Sequence, residues 1–133
     1  MNELAGAVLA SPVLLVIARV VLASFFLIAG IFGVFNFSSV VKEVVAAALP
    51  APKVLALAMI VTQLVGSLLL ISNVGGLAWL GAVVLAGFTL LCIPLGHPFW
   101  RFDEPKRTAD MQIALEHFAL SGGLLAAAIA SAS

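Results

Sequence analysis

Four long apolar runs take up most of the chain, at about residues 13–35, 53–72, 75–96 and 109–131. A helix needs about 20 predominantly apolar residues to cross the hydrocarbon core of a bilayer, and each run has that length. Lipid offers no hydrogen-bond partners to the backbone, so such runs must satisfy their own N–H and C=O groups as helices. The expectation is an all-α membrane protein: a four-transmembrane-helix bundle with a short interfacial helix between spans one and two, forming a single integral membrane domain over residues 1–133. Charged residues make up 9% of the chain and hydrophobic ones 64%, against about 25% charged in a soluble domain. There is too little polar surface for a water-facing shell, so the lipid bilayer takes its place.

Charge and cysteine usage exclude several function classes. Six basic and six acidic residues cancel, which leaves no basic surface for nucleic acid. The lone Cys92 sits in an apolar run, so an intramolecular dithiol relay and a cysteine zinc site are ruled out, and it reads as an inert buried thiol. Met1–Ser11 carries Glu3 and no positive leader, and is read as retained rather than as a cleaved signal.

The connections give an orientation. Lys42, Lys53, Arg101, Lys106 and Arg107 all lie in or beside the first and third connections, while both termini and the Ser72-Asn73 turn have no Lys or Arg. By the positive-inside bias those two loops are cytoplasmic and the termini face outward. In the first connection, Ser38 or Ser39 is a candidate cap, and Pro50 and Pro52 end a short helix. Its Val41, Val44, Val45 and Leu49 are expected to tuck into the headgroup boundary. The second, Ser72-Asn73-Val74-Gly75-Gly76, is a tight turn that makes an antiparallel hairpin of spans two and three. Small residues at Ala58, Thr62 and Gly66, and at Ala23 and Gly30, are expected to let helix backbones approach closely.

Few residues in this chain can do chemistry. Arg19, Gln63, Glu116 and His117 lie within the spans, and His97 and Trp100 at the cytoplasmic mouth. A charge at the bilayer centre costs at least about 2.5–3.5 kcal/mol on insertion scales, so Arg19 and Glu116 are expected to face the interior or to snorkel, with Glu116 a candidate counter-ion of Arg19. His97, His117 and Glu116 nominally offer three metal ligands. The H-x-x-x-H and H-E-x-x-H spacings are absent, and adjacent helical residues point about 100° apart, so no metal site is expected. Trp100 with Phe99 fits an interfacial anchor; the neighbouring His97-Pro98 keeps a ligand-mouth role open.

Taken in order, these segments resemble a known family. Leu27-Ile28-Ala29-Gly30 closes the first span, Leu49-Pro50-Ala51-Pro52 opens the second and Gln63-Leu64-Val65-Gly66 lies within it. His97-Pro98-Phe99-Trp100 follows the third, and Gln112 precedes His117-Phe118-Ala119-Leu120-Ser121-Gly122-Gly123 in the fourth. From about Arg19 to Ala128 the chain resembles the DoxX family of small four-span membrane proteins. The resemblance implies a multi-pass protein of the bacterial inner membrane, linked to redox and oxidative-stress assemblies; the family name comes from a thiosulfate:quinone oxidoreductase subunit. Family members often carry a lysine after the first-span glycine, where Ile31–Val34 offers none, a glutamate where Gln63 stands, and an asparagine where His117 stands. These differences remove charge, so thiosulfate processing is not expected.

The resulting functional expectation is a redox-associated subunit, as of a quinone-linked oxidoreductase, that binds a quinone or other small apolar ligand in an intramembrane polar cluster. Arg19, Gln63, His97, Trp100, Glu116 and His117 are its candidate binding residues. Arg19 would hold an oxygen or anion with its fixed fork of donors, Gln63 would supply neutral hydrogen bonds, and Glu116 or His117 a proton path. Two alternatives stand beside it. One is a non-catalytic anchor docking a soluble redox protein through Arg101, Lys106 and Arg107; the other is a lipid-handling or transport protein, which a bundle this small serves only as a homo-oligomer.

Overall fold

Pro12 divides the N-terminal apolar stretch. In a computed structural model, which describes residues 2–133, a short exposed helix α1 (Glu3–Leu9) is capped by Asn2, whose Oδ1 accepts from the Ala5 N–H at 2.8 Å. Helix α2 (Pro12–Phe35) then starts with the proline in its first turn, where the missing N–H has no intrahelical partner to lose. Asn36 ends α2 with φ −131° and ψ 46°, its side-chain amide donating back to the Phe32 carbonyl at 3.0 Å.

The chain turns directly into α3 (Phe37–Ala46). Asn36, rather than Ser38 or Ser39, occupies the cap position, and the helix stops ahead of Pro50, where Ala48 takes a positive φ of 57°; Ala51, past the proline, does so too at 46°. Val40 and Val44, one turn apart, pack on Ala56 and Ile60 of α4 (Pro52–Ser72), with Val41 and Leu49 partly covered and Val45 exposed. Helix α3 therefore turns one side to protein and leaves Val45 free of it.

The hairpin forms as expected. Asn73 adopts the left-handed region at φ 51°, a conformation that asparagine tolerates better than most residues. Its Oδ1 accepts from the Ala78 N–H at 3.0 Å, satisfying a free donor at the start of α5 (Ala78–Gly96). A 3-10 turn, Val74–Gly76, lies between, with Gly75 and Gly76 also at positive φ. Helix α6 (Lys106–Ala132) is capped by Glu104, whose carboxylate accepts from the Thr108 N–H at 2.8 Å and from the Thr108 hydroxyl.

Helices α2, α4, α5 and α6 are each long and apolar enough to cross a membrane, so the protein is an all-α, four-span membrane bundle. Helix α2 packs on α4, α4 on α5 and α5 on α6, and a thinner contact joins α2 to α6. Ala23, Phe26, Leu70, Ala82, Leu85 and Leu124 meet in the principal core. Small residues make the close approaches, though not all those expected. A Cβ built on Gly81 would stand 2.5 Å from the Gly66 carbonyl oxygen and 2.9 Å from the Leu70 nitrogen, so the α4 and α5 backbones touch there. Gly30 and Gly33 press α2 against Leu64 and Ile60 of α4, and Ala23 and Gly30 share the buried face of α2 as expected. Of the stripe expected on α4, Gly66 is buried in the interface and Thr62 is half-buried. Ala58 is exposed, and Thr62 returns its hydroxyl to the Ala58 carbonyl at 2.7 Å.

Candidate functional site

The polar residues fall at three places in the bundle. The first is the α5–α6 junction beside the basic loop. Asp110, in the second turn of α6, is only 6% exposed. Its two oxygens accept from Lys106 Nζ at 3.3 Å, one turn earlier, and its Oδ2 lies 3.6 Å from His97 Nδ1. That nitrogen is sealed from solvent and has no hydrogen-bond partner among the described residues. The His97 ring meets the His117 ring edge-on, with centroids 5.4 Å apart. His117 Nδ1 is 2.9 Å from the Ile113 carbonyl oxygen; a carbonyl only accepts, so Nδ1 carries the proton and Nε2 of a neutral ring is left as an acceptor. Lys106 also sits 4.5 Å above the Phe102 ring, a cation–π contact. Phe99 and Trp100 pack edge to face at 5.2 Å, and Trp100 is 48% exposed.

The second place is a groove between α2, α3 and α4. Phe25, Ile28, Ala29 and Phe32 of α2, Val40 of α3 and Met59 of α4 give it an apolar wall, and Glu43 and Gln63 are its polar lining residues. Its volume is about 360 Å³, within the usual range for small-molecule sites. The Gln63 side-chain amide makes no hydrogen bond to any described residue, so its donors and acceptor are free in an apolar setting.

The third place is the opposite end of the bundle, where Arg19 lies on the buried face of α2, 8% exposed, with its Nε lacking any partner. The expected pairing with Glu116 does not form: neither residue belongs to an ion pair among the described residues. The reason is helical phase. Asp110, Ala114, Ser121 and Leu124 occupy the inward face of α6, and His117 is half-buried beside them, whereas Glu116 is exposed. The six candidate residues thus do not make one cluster: His97 and His117 meet, Trp100 flanks them, and Gln63, Arg19 and Glu116 stand apart.

Two polar residues of these sites escaped sequence reasoning. Asp110 was not singled out; its signal is the i, i+4, i+7 spacing with Ala114 and His117, together with Lys106 four residues earlier. Glu43 follows Val40 by three positions and so lies beside its face. Among the described residues no three His, Cys, Asp or Glu side chains group to hold a metal ion. Cys92 is free and half-buried.

Comparison with known proteins adds one finding. No curated protein and no solved structure matches the chain. The DoxX family model matches residues 14–98, from the start of α2 through the His97-Pro98 end of α5, and leaves α6 with Asp110 and His117 outside the matched segment. Since that match covers well over half of the chain and the structure is a bundle of four potential membrane spans, the protein belongs to the DoxX family.

Proposed function

We propose that this DoxX family protein binds a quinone or a similar small apolar molecule in the α2–α3–α4 groove, as a redox-associated subunit of the bacterial inner membrane. The observation that carries the reading is the free amide of Gln63 among Phe25, Ile28, Phe32 and Met59. An unpaired amide in a lipid-facing setting is costly, and a quinone carbonyl would accept from it while the ring packs on the aromatic wall. Glu43, on the α3 side of the groove, is placed to accept a proton from a quinol hydroxyl. The termini then face outward and the basic loops the cytoplasm, and His97, Asp110 and His117 offer proton-exchanging groups at that mouth.

Mass spectrometry of small molecules co-purified with the detergent-solubilised protein tests the proposal, followed by titration of a water-soluble quinone analogue. Gln63→Leu is expected to weaken binding about fivefold to tenfold, the scale of one net hydrogen bond, with the melting temperature retained. Equal binding by Gln63→Leu overturns the assignment.

A second reading rests on a different observation: Trp100 is exposed next to Arg101, and Arg107 is exposed beyond it. An exposed aromatic flanked by arginines suits docking of an acidic soluble redox protein. Loss of a co-purifying partner on combined replacement of Trp100, Arg101 and Arg107, with quinone binding intact, favours the anchor role.

A further inference from the structure

Arg19 is a buried cation that no described residue neutralises. It is 8% exposed on the inward face of α2, forms no ion pair or hydrogen bond with any described residue, and its Nε is sealed without an acceptor. A guanidinium cannot shed its proton to escape burial, and an unpaired buried charge is among the most destabilising features a fold can carry. Of the six acidic residues only Glu3 lies at this end of the bundle, on the exposed α1, and it too forms no ion pair among the described residues.

The setting narrows what compensates it. A Cβ on Gly123 would lie 3.6 Å from the Leu22 side chain, which puts Leu22 of α2 and Gly123 of α6 at one level. Arg19 lies one turn nearer the start of α2, and helical side chains lean toward the N-terminus of their helix. Because α6 runs antiparallel to α2, this lean carries the guanidinium toward the final turns of α6. Ser131 is there, and its hydroxyl oxygen is likewise buried without a partner. Two orphaned polar groups, one a fixed fork of donors and the other a hydroxyl donor, thus lie toward the same end of the bundle within a turn or two of the helix termini.

We infer that Arg19 and Ser131 form a site for an oxyanion of the phosphate type, taken from a lipid headgroup or from solution. The arginine fork matches two oxygens of such a group at once, Ser131 donates to a third, and the level near the helix ends is where lipid phosphates lie. This site is separate from the groove that holds Gln63, whose α2 wall begins at Phe25, about 9 Å further along the helix.

Thermal melting of the full-length protein in a neutral detergent tests it, with inorganic phosphate, short-chain phosphatidic acid and the matching diacylglycerol as probes. The wild type is expected to melt several degrees higher with phosphatidic acid than with diacylglycerol. Arg19→Gln should abolish that difference, Arg19→Lys should reduce it because the fork is lost while the charge is kept, and Ser131→Ala should reduce it too. A response to phosphatidic acid alone assigns the group to lipid; a response to inorganic phosphate as well assigns a free-oxyanion site. No phosphate-dependent shift in the wild type, or an undiminished shift in Arg19→Gln, overturns the inference. Should Arg19→Gln fail to fold, Ser131→Ala decides, with a reduced shift in support and an unchanged one against.

Discussion

His97 Nδ1 and Asp110 Oδ2 face one another at 3.6 Å, joining the end of α5 to the second turn of α6. Asp110 is buried and also serves Lys106, so its removal leaves a sealed imidazole nitrogen and a lysine without their acid. Asp110→Ala is therefore expected to lower stability by no more than about 1 kcal/mol, the range for an ion pair whose lysine is largely exposed, and Asp110→Asn by less because its amide oxygen still accepts from Lys106. Melting curves in detergent measure both. An unaltered curve for Asp110→Ala would show the carboxylate to be dispensable for the α5–α6 junction.

The contact between Gly81 and the α4 backbone makes a sharper case. No rotamer change relieves a Cβ aimed at a carbonyl oxygen and a peptide nitrogen, so Gly81→Ala must push α5 from α4 and is expected to cost about 1–3 kcal/mol, the overpacking range. Gly87, on the same helix, has nothing within 4 Å of a built Cβ. Gly87→Ala is expected to be neutral or to stabilise by up to about 1 kcal/mol through helix propensity. Unfolding the two variants side by side checks the contrast, and similar behaviour would refute the close approach.

Because Arg19 and Glu116 do not meet, their substitutions should act independently. Glu116→Gln is expected to leave melting unchanged or to raise it, because it removes a charge from an exposed position within a span. The double variant with Arg19→Leu should equal the sum of the single changes within the scatter of independent sites. Recovery of stability in the double variant would reinstate the pair.

Orientation is open to chemical labelling. In a Cys92→Ala background, cysteines at Asn2 and Ser133 are expected to react with an impermeant maleimide on intact cells, and a cysteine at Lys106 only after permeabilisation. Reaction at Lys106 from outside inverts the bundle and moves Asp110 and His97 to the outer face.

The four spans were legible because hydrophobic length alone decides them, and the hairpin because Asn73, Gly75 and Gly76 are residues that accept positive φ. Helix faces were harder to read. Nearly all side chains here are apolar, so periodicity distinguishes protein-facing from lipid-facing positions only weakly. That is why Ala58 of the expected stripe lies outside the interface, while Gly81, with no partner nearby in sequence, went unnoticed. The polar residues were found one by one, but their grouping depends on helix phase and depth. A shift of about 100° separates exposed Glu116 from half-buried His117, and neither that phase nor the burial of Asp110 follows from composition.

Phe26, Leu70, Leu85 and Leu124, all fully buried, belong to one apolar core in the bundle's interior. The Gln63 groove lies outside that core, and its α2 wall of Phe25, Ile28 and Phe32 is exposed on the flank of the bundle that lipid would cover. A molecule bound there would therefore come sideways out of the bilayer, which would select for molecules that already dissolve in lipid.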